Sequence, residues 1–176
     1  MMNKDRLLAL TLVILAAAAS RLLPHPENVA PIAAIALFGG AKFERKSLAF
    51  FVPFAALLLS DAVLGFYAGI WAVYLAFAVL TCIGFALRGR ESFSSVITAS
   101  LLSSAVFFLI TNCNAIVPHS NFPQTMDGLK MGYEAGIPFF RNTLLGDLFY
   151  NAVLFGGFAF AERRFGFLRN RILATA

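Results

Sequence analysis

Charge is what this sequence has least of. Charged residues make up 13% of its 176 positions, and they fall in short clusters instead of lining helix faces. A soluble domain must coat its surface with polar and charged groups. With 60% hydrophobic residues, this chain cannot do so. Cysteine is nearly absent too: Cys82 and Cys113 make no disulfide framework, and both are expected to be unpaired. The chain carries no phosphate-binding glycine loop, zinc-protease pattern or nucleophile elbow. If it drives transport with ATP, a partner must supply the motor. His25, His119 and Cys113 lack metal-ligand spacing, so neither a metal nor another cofactor is expected. Long continuous apolar runs, in place of short alternating ones, argue against a membrane β-barrel.

What the chain does have is phenylalanine, twenty of them, and apolar runs approaching the length needed to cross about 30 Å of hydrocarbon. These observations predict an all-α membrane protein, a six-helix transmembrane bundle forming a single domain over 1–176, in contact with the lipid bilayer. The segments are read as 7–23, 29–43, 47–64, 68–87, 94–111 and 142–160. The first is read as a retained helix, not a signal peptide, because membrane-like sequence follows it directly. The second is short, and Pro31 with Gly39-Gly40 predicts an irregular or partly re-entrant passage. Pro53 is placed to kink the third. Phe66, Tyr67, Trp71 and Tyr74 suit an interfacial belt. Ser95, Thr98, Ser100, Ser103 and Ser104 can bond their own backbone or a neighbouring helix.

A long loop joins the fifth and sixth segments, and within it residues 126–136 suit a short amphipathic helix on the membrane surface. Six crossings place both termini on one side. Lys4, Arg6, Lys42, Arg45, Lys46, Arg88, Arg90, Arg163, Arg164, Arg169 and Arg171 then share that side, against Arg21, Lys130 and Arg141 opposite. This positive-inside bias predicts cytoplasmic termini and a loop at 112–142 outside. The net charge of +5 is thereby explained by topology and does not point to nucleic acid.

The predicted outer side also collects the groups able to bind a ligand: Asn28, Asp61, Asn112, Glu134, Arg141, Asn142 and Asp147, with His25, Glu27 and Asn114 nearby. An ionisable group at membrane depth is costly and needs a partner or water. Phe66, Tyr67, Phe139 and Phe140 would supply the apolar walls of a small-molecule site. Asp147 lies six residues after Arg141, about 9 Å along a helix axis and on another face, so the two are not expected to pair. The competing reading is that these residues pair across helices and simply hold the bundle together. On the opposite side only simple basic clusters are expected.

Residues 21–34 (RLLPHPENVAPIAA), Ala36-Leu37-Phe38-Gly39-Gly40, Ser60-Asp61, Thr111-Asn112 and residues 137–147 (IPFFRNTLLGD) together resemble a family of small bacterial membrane proteins of uncharacterised function. That family is similar, more distantly, to the substrate-binding S-components of energy-coupling factor (ECF) vitamin transporters. The resemblance implies a six-helix protein of the bacterial cytoplasmic (inner) membrane that binds a vitamin or related micronutrient from outside, with no covalent step. It also implies that small residues of the first helix, here Ala16, Ala17, Ala19 and Ser20, meet a transmembrane coupling protein driven by ATPases. Solitary relatives of the S-components handle cobalamin, some through a cysteine. Cys113 lies on the side this would need, whereas Cys82 does not. Two other functions remain open: a structural or assembly protein without a ligand, and a lipid-modifying membrane enzyme using Asp61, Glu134 or Asp147 as base.

Overall fold

The computed structural model describes residues 3–116 and 120–168; Pro118, His119, Arg169 and Arg171 lie outside the described residues. Within them the chain is helical throughout, with no strand. The helices are α1 (Lys4–Ala19), α2 (Ile32–Lys42), α3 (Lys46–Leu64), α4 (Ile70–Ala86), α5 (Phe93–Asn112) and α6 (Met126–Asn151). A π-helical turn, Ala152–Gly156, joins α6 to α7 (Gly157–Arg164). Three helical stretches are long and apolar enough to cross a membrane: Lys46–Leu64, Phe93–Ala115 and Met126–Arg164.

The centre of the bundle is α2. At 11 residues it is about 16 Å long, too short to cross a bilayer core, and every residue from Ala33 to Lys42 is buried. It is a regular helix, so the irregularity expected from Pro31 and Gly39-Gly40 does not occur. Pro31 sits at the N-cap, where no intrahelical N–H is needed. The glycines serve close packing instead. Gly40 meets Gly84 of α4 backbone to backbone, and Gly39 lies under the ring of Pro53 on α3. A side chain at any of these glycines would collide with its neighbour, which is why small residues let helix backbones approach.

Packing continues outward from α2 through aromatic edges. Phe38 meets Phe155 and Phe158 edge-on, with ring centroids 5.2 and 5.6 Å apart, and Phe54 meets Phe77 at 5.0 Å. Leu10, Ile14 and Ala18 place the inner face of α1 in the same core. The outer faces reverse the order found in soluble proteins. Phe51 and Phe160 are each 71% exposed, whereas Arg6, Lys42, Asp61 and Asp147 are buried. A chain that turns phenylalanine outward and charge inward suits hydrocarbon as solvent.

One expectation about the long loop is corrected. Residues 126–136 do not form a separate surface helix; they are the first turns of α6, which runs unbroken through Pro138. Pro138 is exposed, so the carbonyl it deprives of a donor can find water. Thr125 caps the helix by accepting from the Gly128 N–H at 3.2 Å. Tyr133 then ties it to α5 through a 2.7 Å bond to the Leu109 carbonyl.

Alternating helix directions sort the chain ends of the elements into two groups. At the basic end, Arg6 and Lys42 are buried and pair with Glu162, Lys42 also pairs with Glu91, and both cations lie over the Phe158 ring. Arg88 caps α2 there, donating to the carbonyls of Gly40, Phe43 and Glu44. The simple basic clusters expected on this side are therefore in part a built ion-pair network that joins α1, α2 and α7. Each buried cation has found a carboxylate because leaving it unpaired costs several kcal/mol.

Candidate functional site

The opposite end holds a cavity of about 440 Å³ between α2, α4, α5 and α6. Its size falls within the range of small-molecule sites. The polar groups on its wall are Asn28, Tyr67, Thr111, Asn112, Thr143 and Asp147. Its apolar wall includes Phe107, Phe108, Phe122, Phe139 and Phe140. The rings of Phe108 and Phe140 lie 4.8 Å apart, and Tyr133 stands 5.7 Å behind Phe108.

Small residues create the space. Gly132 and Gly136, one turn apart on α6, lie against Ala115 and Asn112, so α6 can approach the end of α5 closely. Gly146 does the same against Val29, just after Asn28, which adopts a left-handed conformation at φ 61°. Asn142 holds the same loop by donating to the Glu27 carbonyl at 3.1 Å. The segment before α2 is thus fastened over the cavity from two points on α6.

Asp147 forms the cavity's acidic floor. It is 3% exposed, and its Oδ2 accepts from the Ser104 hydroxyl at 2.6 Å. Its Oδ1 accepts from no described residue, and no described cation pairs with it. One turn further along α6, Asn151 donates to Ser100 at 2.9 Å, one turn before Ser104 on α5. Two i,i+4 pairs, Ser100/Ser104 and Asp147/Asn151, therefore face each other across a buried seam. Ser103 Oγ and Asn151 Oδ1 have no partner in it. The π-turn begins immediately after Asn151, and such bulges widen a helix where side chains need re-aiming.

Of the residues that sequence reasoning put forward, the cavity gathers Asn28, Asn112 and Asp147. The others lie off its wall. Asp61 is held by Arg21, 2.7 Å from its Oδ1, and by the Tyr74 hydroxyl, 2.8 Å from Oδ2; Arg21 also donates to Ser60. Tyr74 accordingly faces inward and leaves the aromatic belt to Phe66, Tyr67 and Trp71, all exposed. Glu134 is exposed and 3.8 Å from Lys130, Arg141 is exposed, and Asn142 is bound to the loop backbone. Cys113 is a free thiol whose Sγ lies 3.1 Å from the Tyr133 hydroxyl, and Cys82 is free and exposed on α4. His25 lies 3.0 Å from the Pro26 carbonyl, and the described residues contain no cluster able to hold a metal. On α1, Ala16 and Ala19 are exposed beside Leu8, Leu12 and Leu15, whereas Ala17 packs partly on the core and Ser20 bonds the Ala17 carbonyl and Tyr150.

Ser100, Ser104 and Asn151 are the site neighbours that the sequence did not reveal. The serines were legible only as packing residues, and Asn151 carried no signal except its spacing from Asp147.

Over residues 1–171 the chain matches the model of a family of unknown function (DUF6580). It belongs to that family. No curated protein and no solved structure matches the chain. The likeness to the vitamin-transporter S-components therefore rests on the sequence motifs alone.

Proposed function

We propose that the chain is a membrane-embedded substrate-binding component for uptake of a vitamin or related micronutrient. The observation that carries this reading is the 440 Å³ cavity, with six polar groups and five phenylalanines on its wall and an incompletely satisfied carboxylate at its floor. A purely structural bundle has no use for such a cavity. Unfilled space forfeits dispersion contacts, and a carboxylate held at its floor is costly unless something polar meets it. The pair Arg21–Asp61 does favour the structural reading for those two residues, since each satisfies the other.

In the proposed topology the chain crosses six times in the bacterial cytoplasmic membrane, with both termini cytoplasmic and the cavity outward. The second crossing is made by the short α2 together with the non-helical residues 23–31 before it, enclosed by the other helices. Ligand binding would close the 28–31 loop and the start of α6 over the site, and rearrangement would release the ligand inward. No covalent step is required, so the protein is not read as an enzyme. The exposed Ala16 and Ala19 would offer the smooth face for a transmembrane coupling protein whose ATPases power the cycle.

Native mass spectrometry of protein gently purified from its own host tests the reading. A co-purifying molecule of vitamin size is expected. A bare protein mass, together with a cavity found filled by side chains in an experimental structure, would favour the structural alternative.

A further inference from the structure

The cavity's wall holds acidic but no basic side chains. Among the described residues that line it, Asp147 is the only carboxyl group and none is an arginine, lysine or histidine; its Oδ1 accepts from no described residue. The described arginines and lysines at this end are committed elsewhere or turned away. Arg21 is bound to Asp61 and Ser60, Lys130 lies beside Glu134, and Arg141 is exposed off the wall. The carboxylates Glu27, Asp61, Asp127 and Glu134 share the same end with Asp147. With Arg21–Asp61 and Lys130–Glu134 paired off, Glu27, Asp127 and Asp147 stand against Arg141 at this end, an excess of carboxyl groups that favours cations over anions.

The walls agree with the floor. Aromatic rings present a negative face to a cation and serve as its partner where water is excluded. Five phenylalanines and Tyr67 surround the space above Asp147. Sites built for a carboxylate or phosphate commonly place an arginine or lysine against it; the first turn of α2 reaches this wall at Ile32 and Ala33, but with no cation beside it. No described arginine or lysine lines this cavity.

We infer that the ligand is a cation, an organic amine or quaternary nitrogen on an aromatic or apolar body, with Asp147 as its counter-ion. This rests on the substrate-binding reading above and narrows it. Ser104 holds one carboxylate oxygen so that the other faces the cationic nitrogen. Thr111, Asn112 and Thr143 remain for neutral polar groups of the ligand.

The test uses full-length protein in lipid nanodiscs and isothermal titration calorimetry, with empty nanodiscs titrated in parallel to subtract partitioning. The probes are benzyltrimethylammonium, neutral 2-phenylethanol and anionic phenylacetate, which share a ring and differ in charge. Only the ammonium should bind the wild type. Asp147→Asn, which keeps the side-chain volume and the acceptor for Ser104, should weaken it by about tenfold to a hundredfold. Asp147→Glu should recover part of the loss, which a merely misfolded site would not. Asp5→Asn, which removes an exposed charge at the opposite end, should leave the affinity unchanged.

Equal or tighter binding of the alcohol or the anion overturns the inference while leaving a substrate-binding protein in place. So does unchanged ammonium affinity in Asp147→Asn. Heat from none of the probes also overturns it, and the co-purifying mass described above then decides the broader reading independently.

Discussion

Replacing Asp61 by Asn should damage this protein more than its conservative shape suggests. The substitution keeps an oxygen for the Tyr74 hydroxyl but removes the charge opposite Arg21, whose side chain is only 11% exposed. An arginine left buried without its carboxylate costs about 3–5 kcal/mol. Arg21 keeps its bond to Ser60, which places the expected loss near the lower end, about 3 kcal/mol. The double replacement Arg21→Met with Asp61→Asn removes both charges, fills the arginine's space with an apolar group and keeps the acceptor for Tyr74. It should return to within about 1 kcal/mol of the wild type, because no uncompensated buried charge remains. Unfolding in mixed micelles at increasing SDS fraction, followed by circular dichroism, gives the cycle. A loss below about 0.5 kcal/mol for Asp61→Asn, or strict additivity of the single changes, would refute the pairing argument.

Other consequences are as direct. Gly84→Leu should lower stability by about 1–3 kcal/mol or prevent folding, since its side chain must enter the backbone of α2 at Gly40; the same unfolding assay reads it. Ser104→Ala should cost about 1–3 kcal/mol by stripping Asp147 Oδ2 of its donor, whereas Ser95→Ala on the same helix should stay within about 0.5 kcal/mol. In intact cells, a membrane-impermeant maleimide should label Cys113 and not Cys82; labelling of Cys113 only after permeabilisation would overturn the proposed orientation.

The hydropathy of the chain placed two of its long helices closely and missed the first sixteen residues of the longest, α6. The runs read at 47–64 and 94–111 match α3 and α5 to within a residue at each end. What it could not show was which way each polar side chain turns. Arg21 reads as a residue that would reach outward to the interface, yet it turns inward because a buried carboxylate and hydroxyl await it on α3. The last segment reads as starting at 142 with Pro138 in the loop before it, but α6 starts at Met126 and tolerates the exposed proline within it. Lys42 and Arg88 read as a boundary between segments; their partners Glu91, Glu162 and the carbonyls ending α2 are distant in sequence. The cavity was legible as a set of polar residues at one end. Its membership was not, because Asp61 and Asp147 look alike in sequence and differ only in whether a cation reaches them.

The most direct test of the account compares native mass spectra of the wild type and Thr143→Trp, both purified from the natural host. Thr143 lines the cavity from α6, and an indole there would occupy the space without touching the buried ion pairs. The account predicts a small-molecule adduct on the wild type that is absent from the filled variant. The same adduct on both proteins would place the ligand elsewhere and contradict the site.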